Sequence, residues 1–133
     1  MEKQMTGWLP ALGRLLIAAL FVPSGIAKIT GMAGTMAYIN SHNLPLPQVA
    51  YVISVLVEVP VAILFLLGWQ SRIMAAILAV YTIAAAAFFH NDLSNMGQAI
   101  NFWKNLAIAG GLCSFIAYGA GTWSVDHWRA KRG

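Results

Sequence analysis

A single carboxylate, Glu58, lies in the middle of an apolar run and is the residue with the clearest potential for chemistry. It is the tenth of the nineteen residues from Val49 to Leu67. A charged side chain at the centre of a bilayer-spanning helix costs about 2.5–3.5 kcal/mol on insertion scales. A cationic partner, protonation or water in a cavity must offset that cost, and a carboxylate held in this way can donate or accept a proton.

The predicted cationic partner of Glu58 is Arg14, the only charge inside the first apolar segment. Arg14 lies about 9 Å inward of the centre of that segment at 1.5 Å per residue, a separation that two long side chains largely bridge. We therefore expect an Arg14–Glu58 ion pair, with Lys104 about equally far from Glu58 on the outer side. A role for Glu58 as a proton or ligand group stays open beside it. Charged residues of a membrane helix face the interior of the bundle, so two facing stripes are expected. These are Arg14, Ala18, Phe21, Gly25 and Lys28 on the first segment, and Tyr51, Ser54, Glu58 and Phe65 on the second.

Further polar residues gather where the apolar segments end. Lys28 ends the first segment, His90 follows the third, and Asn101, Lys104 and Asn105 begin the fourth. In an antiparallel bundle these five residues lie at a similar depth, so that together with Ser24 they predict a ligand cavity open to the outer side. The alternative is that the two lysines extend to the interface and that His90 caps a helix. No catalytic residue is assigned, because the chain shows no nucleophile with an evident base and no metal-ligand spacing.

Four apolar segments position these residues, at about 9–28, 49–67, 73–89 and 102–120. Each is close to the ~20 residues that span a bilayer. Hydrophobic residues make up 59% of the chain and charged residues 9%, against about 25% charged in soluble domains. The sequence thus predicts one all-α membrane domain over residues 1–133, an antiparallel bundle of four transmembrane helices. Met32, Met36 and Ile39 predict a short surface helix in the first outer loop, and residues 121–133 an interfacial tail.

Two features bear on how the helices pack. Pro23 and Pro60 each remove a backbone donor next to a polar residue, which predicts local irregularity in the polar core. Small residues let membrane helices approach closely. On the fourth segment, the expected packing face consists of Ala107, Gly110, Gly111 and Ser114.

Orientation follows from the distribution of Lys and Arg. Six of the eight lie on the side of the amino terminus, namely Lys3, Arg14, Arg72, Arg129, Lys131 and Arg132, and only Lys28 and Lys104 lie on the other. Cytoplasmic segments carry the excess of positive charge. Both termini are therefore predicted in the cytoplasm.

Over nearly its whole length the chain resembles the DoxX family of small four-helix membrane proteins, in its uncharacterised inner-membrane branch. The motifs are Leu12-Gly13-Arg14, Ser24-Gly25-Ile26-Ala27-Lys28, Glu58-Val59-Pro60, Gly68 before Arg72, and Ile100-Asn101-Phe102-Trp103-Lys104-Asn105-Leu106 followed by Gly110-Gly111. The resemblance implies a bacterial inner membrane and the same bundle. It also implies a link to quinone-reducing and oxidative-stress systems, in which founding members and relatives take part, but no catalytic residue.

Three functions are open at this stage. The first is a redox-associated accessory subunit that binds a quinone-like or other small amphipathic ligand within the bundle. Lys28, His90 and Lys104 would hold its polar head, and Glu58 would exchange a proton. The second is a non-enzymatic scaffold or assembly subunit, and the third a small transporter or proton path. No intrinsic cofactor is expected beyond a quinone or lipid. The expected partners are membrane lipids and either a soluble or membrane redox partner or a second copy of the chain, and not nucleic acid.

Overall fold

The computed structural model describes residues 7–132, and all the regular structure in that range is helical. The prediction of an all-α protein is confirmed. The six helices are α1 (Trp8–Thr30), α2 (Met32–Ser41), α3 (Pro47–Leu67), α4 (Ser71–Phe89), α5 (Met96–Tyr118) and α6 (Val125–Arg132). Lys3, which entered the prediction of orientation, lies outside the described residues.

Three of these helices are long and apolar enough to cross a membrane. Helices α1, α3 and α4 have 23, 21 and 19 residues and mean hydropathies of 1.7, 2.5 and 2.0. Helix α5 is as long as α1, with 23 residues, but the polar residues of its first half make it less apolar. Large apolar side chains such as Leu16, Val52 and Val80 are more than half exposed on the outside of the helices, as expected of surfaces in contact with lipid.

Several boundaries differ from those predicted. Helix α5 begins at Met96 instead of about residue 102, because the Asn95 side chain accepts a hydrogen bond from the Gln98 N–H and caps the helix. The short helix predicted from Met32, Met36 and Ile39 is present as α2, with Ile39 buried. The tail after α5, predicted only as an interfacial segment, contains the helix α6.

Helix α3 contains a π-helical turn at Val57–Val61, which includes both Glu58 and Pro60. Pro60 has no N–H to continue the α-helical ladder. The Ala62 N–H instead bonds to the carbonyl of Val57, five residues earlier. A π turn inserts one residue into a helix and is frequent at functional sites, so the irregularity expected from Pro60 is present where the carboxylate lies.

The core lies between the four long helices. Phe65, Leu78 and Leu112 are completely buried, and the Phe65 and Phe115 rings meet edge to face at 5.1 Å. Helix α4 places Ala75, Ala79 and Ala86 inside, which lets its neighbours approach closely.

The small residues of α5 do not form the packing face that the sequence suggested. Ala107, Gly110, Gly111 and Ser114 are exposed, and a Cβ added to either glycine would meet nothing within 4 Å. Ala109 and Leu112 are the buried residues of this helix. The prediction was wrong because small residues show where close approach is possible, not which side of the helix meets a neighbour.

Candidate functional site

The buried side of α1 is the predicted stripe. Its buried residues are Arg14, Ala18, Phe21 and Gly25, and Lys28 continues the stripe one turn further. On α3, Ser54, Glu58 and Phe65 are buried and Tyr51 is half-buried. Because α1 and α3 pack against each other along these sides, polar groups from both helices meet inside the protein.

Lys28 and Glu58 form an ion pair. The Lys28 Nζ lies 2.8 Å from Glu58 Oε1, and the Glu58 side chain is 4% exposed. Lys28 Nζ also donates to Ser24 Oγ at 3.0 Å. The lysine ammonium thus offsets the cost of burying the carboxylate.

Tyr81 of α4 completes the polar cluster. Its hydroxyl donates to Glu58 Oε2, so each carboxylate oxygen accepts a hydrogen bond from a different helix. The Tyr81 ring packs edge to face with Phe21 at a centroid distance of 6.5 Å. The Lys28–Glu58–Tyr81 cluster therefore joins α1, α3 and α4 and is held in place by the apolar core beneath it.

A cavity of about 230 Å³ lies directly against this cluster. Its polar wall includes Ser24, Lys28, Ser54, Glu58, Tyr81, Thr82, His90 and Asn105, and its apolar wall includes Leu20, Phe21, Ile39 and Ile108. Ligand pockets are mainly apolar, with a few convergent polar groups, and typically measure about 300–1,000 Å³. This cavity has that mixture of apolar and polar groups, and its volume, below that range, suits a single ring.

Helix α2 covers the cavity mouth. Thr35, Tyr38 and Ile39 contribute to the lining. The Tyr38 ring stacks on Phe89 of α4 at 5.5 Å, and the His42 ring lies 5.0 Å from Phe89. Aromatic contacts of this kind contribute about 0.5–1.5 kcal/mol each beyond the burial of area, so α2 is fixed to the end of α4.

His90, which follows α4, lies at the same mouth. Burial, and to a lesser extent the nearby His42 imidazole, lowers the pKa of His90 from its ordinary value of 6.5. His90 is therefore neutral at neutral pH and can donate or accept a hydrogen bond at the cavity.

Arg14 is not the partner of Glu58, and the ion pair expected between them is absent. Arg14 is buried near the opposite end of the bundle, where Nη1 donates to the Leu66 carbonyl and Nη2 to the Trp123 carbonyl. Leu66 lies eight residues beyond Glu58 on α3, about 12 Å away at 1.5 Å per residue. Carbonyl groups without a backbone partner at a helix end readily accept hydrogen bonds from a guanidinium. Lys28, and not Arg14, neutralises the Glu58 carboxylate.

The same end of the bundle holds the carboxyl-terminal segment. The Asp126 carboxylate accepts hydrogen bonds from the Gln70 and Ser71 N–H groups, both at 2.8 Å, and from the Ser71 hydroxyl. The Asp126 N–H donates to the Gly68 carbonyl at 2.9 Å. Burial raises the pKa of Asp126, but the hydrogen bonds from Ser71 and Gln70 outweigh it and hold the pKa below 3.8. Asp126 thus supplies from α6 the cap that helix α4 needs.

The structure brings some of the predicted site residues together and leaves others apart. Five line the cavity, namely Ser24, Lys28, Glu58, His90 and Asn105. Asn101 and Lys104 are exposed on α5 and do not line it. Lys104, next to Asn105 in the chain, points to another side of the helix, and Asn101 lies one turn before Asn105, beyond the cavity lining. Arg14 belongs to the other end of the protein. The head-binding role expected for Lys104 is therefore not supported by its position.

Tyr81 is the residue that the sequence analysis missed. The tight turn between α3 and α4 makes these helices antiparallel, with Glu58 ten residues before Gly68 and Tyr81 nine residues after Arg72. That count places both at a similar depth. The available signal was a pair of hydroxyl residues, Tyr81 and Thr82, in a segment without charges and at the depth of the carboxylate.

Comparisons with known proteins agree with this architecture. The sequence profile of the DoxX family matches residues 9–91, which include α1, α3 and α4 with Lys28, Glu58 and Tyr81. The chain is 36% identical to the inner membrane protein YphA of Escherichia coli strain K12 over 120 residues, covering 86% of each chain. It is 33% identical to the inner membrane protein YqjF of the same organism over 122 residues, covering 90% of each. No solved structure gives a significant match. With its apolar helices, the chain is an integral inner-membrane protein and belongs to the DoxX family.

Proposed function

We propose that the protein binds a small, neutral, quinone-like or otherwise amphipathic molecule in the cavity beside Glu58 and serves as an accessory subunit of a redox system. The observation that carries the proposal is the Lys28–Glu58–Tyr81 cluster in the cavity wall. A structural ion pair alone needs no adjoining space. This chain binds the ligand, and a soluble or membrane partner carries out the electron transfer.

The charges of the cluster favour a neutral head group. Lys28 and Glu58 balance each other, so a charged ligand would leave one charge uncompensated in a poorly solvated site. Lys28 has three N–H donors, and Ser24 and Glu58 take two of them. The third donor and the Asn105 amide suit carbonyl oxygens, while the free lone pairs of Glu58 suit a hydroxyl. A ring that carries carbonyl or hydroxyl groups meets both requirements.

Four crossings with both termini in the cytoplasm complete the proposal. Helix α5 packs along α4, and its 23 residues extend about 34 Å, enough for ~30 Å of hydrocarbon. Arg72, Arg129 and Lys131 lie toward the same end of the bundle as Arg14. Cysteine labelling from each side of the membrane tests this: Arg72→Cys and Arg129→Cys should react only from the cytoplasm, and Leu93→Cys only from the periplasm. Reaction of Leu93→Cys and Arg129→Cys from the same side would exclude a crossing by α5.

Binding is tested with a tailless probe, a dimethoxy-methyl-benzoquinone ring, titrated calorimetrically into the protein in lipid nanodiscs. The informative pair of variants is Asn105→Ala and Asn101→Ala. Both amides lie on α5, four residues apart, but only Asn105 lines the cavity. One lost hydrogen bond is worth about 1 kcal/mol, so Asn105→Ala should weaken ring binding about five-fold, whereas Asn101→Ala should leave it unchanged. Absence of ring binding to folded wild-type protein, or equal loss in both variants, overturns the proposal.

A non-enzymatic scaffold is the second candidate, and one observation favours it. The buried Arg14 is committed to backbone carbonyls of α3 and of the docked tail, which makes the cytoplasmic end a rigid surface for assembly. In a scaffold the Lys28–Glu58 pair has only a structural role. The scaffold function therefore predicts two results: the wild-type protein does not bind the ring, and Glu58→Gln lowers the free energy of unfolding.

A further inference from the structure

A second space, a groove, lies beside the cavity between the first half of α3 and the second half of α4. Its volume is about 350 Å³, and its lining is almost entirely apolar. Leu46, Val49, Ile53, Ala84 and Phe88 form its outer part. Four of these side chains are well exposed, with Leu46 at 68% and Phe88 at 53%. The groove therefore opens sideways, toward the hydrocarbon that surrounds the helices.

The groove and the cavity share one wall. Ser54, Tyr81, Ala85 and Phe89 line both spaces, so a single layer of side chains separates the apolar groove from the polar cluster. Two of the four, Ser54 and Ala85, are small. A hydrocarbon chain can pass between small side chains with less displacement of the protein than between large ones.

We propose that the groove holds the hydrocarbon chain of the same molecule whose head occupies the cavity. The ligand class is then a single-chain amphiphile with a neutral, hydrogen-bonding ring, which enters from the bilayer between α3 and α4. This inference rests on the proposed function, because the groove gains a specific occupant only through the head group next to it. The wall that the two spaces share at Ser54 and Ala85 is what distinguishes that occupant from any lipid chain.

The hydrocarbon chain of the ligand determines where the ligand lies more than how tightly it binds. Lipid tails are as apolar as the groove, so moving a hydrocarbon chain from one to the other releases little free energy. The test must therefore measure where the chain lies. A suitable probe is the dimethoxy-methyl-benzoquinone ring on a decyl chain with a terminal diazirine, photolysed with the protein in nanodiscs and mapped by peptide mass spectrometry.

The expected result has three parts. The label should concentrate on residues 44–53 and 84–88, and excess tailless ring should suppress it, because the ring displaces the head from the cavity. Ala84→Phe fills the groove and should reduce the label several-fold while tailless ring binding persists. The matched control Ala87→Phe adds the same ring to an exposed position of the same helix that lines neither space, and should label like wild type.

Each other outcome has a definite meaning. Groove labelling that the tailless ring does not suppress shows occupation by bulk lipid and overturns the inference, while calorimetric ring binding leaves the proposed function standing. Labelling spread evenly over exposed helix faces, or equal loss in Ala84→Phe and Ala87→Phe, also overturns it. If the tailless ring fails to bind the wild-type protein, the proposed function and this inference fall together.

Discussion

Gly25 of α1 lies directly against Glu58 of α3. A Cβ added to Gly25 would stand 2.9 Å from Glu58 Cβ, 3.2 Å from the Glu58 carbonyl carbon and 2.5 Å from Val59 Cγ2. Only a residue without a side chain permits this approach, and it occurs at the π turn of α3. The close contact of the two backbones places Lys28, one turn further on α1, within reach of the carboxylate.

Gly25→Ala should therefore destabilise the protein. The added methyl group meets the backbone of Glu58, which cannot rotate away, and overpacking of this kind costs about 1–3 kcal/mol. Thermal unfolding in detergent micelles measures the effect. Gly110→Ala is the control, since that position is open and Ala favours a helix by about 1 kcal/mol over Gly. Equal stability of the two variants would show that α1 and α3 do not approach in this way.

A pair of double-mutant cycles separates the observed ion pair from the one that the sequence suggested. Lys28→Met and Glu58→Gln should be strongly coupled, because removing one partner of a buried pair typically costs about 3–5 kcal/mol and removing the second adds little. Arg14→Met and Glu58→Gln should be nearly additive, because Arg14 binds Leu66 and Trp123. Unfolding free energies in mixed micelles check both cycles. Coupling confined to the Arg14 cycle would contradict the structure.

Arg14→Lys should release the carboxyl-terminal segment while keeping the charge. The guanidinium reaches two carbonyls from two nitrogens, and the single ammonium nitrogen of lysine does not reproduce that fork. Hydrogen exchange should rise in residues 121–132 and remain unchanged around Glu58. Arg72→Lys, at an exposed position, is the control and should leave the exchange unaltered. Unchanged exchange in Arg14→Lys would mean that Asp126 alone holds the tail.

The docking of Asp126 should depend on pH in the acidic range. Because hydrogen bonds lower the pKa of this carboxyl in the docked state, its contribution is present above the undocked pKa and is lost as pH falls through the docked one. The amide chemical shifts of Gln70 and Ser71 should therefore change at a lower pH than the one at which an undocked aspartate titrates. Asp126→Asn should remove this transition. A transition no more acidic than that of an aspartate in an unstructured peptide, or one that persists in Asp126→Asn, would contradict the assignment.

The sequence by itself was sufficient for the apolar helices and for the inward stripes of α1 and α3. An uncompensated charge in hydrocarbon is costly, so Arg14, Lys28 and Glu58 had to face the interior, and helical periodicity then placed Ala18, Phe21 and Gly25 beside them. Hydropathy and length located the apolar segments. The boundaries of α5 and the helix in the tail escaped this reasoning, since caps such as Asn95 and Asp126 act locally or across the fold and leave little periodic signal.

The choice of partner for Glu58 was decided only by the tertiary structure. Arg14 and Lys28 lie on the same stripe on opposite sides of the midplane, and the sequence pattern pointed to Arg14. The contact at Gly25, the π turn at Val57–Val61 and the carbonyls that the docked tail presents to Arg14 settled it. These depend on how helices far apart in the chain rotate and slide against one another, and a one-dimensional pattern does not encode those displacements. The same packing brings Tyr81 to Glu58 and turns Lys104 away from the cavity.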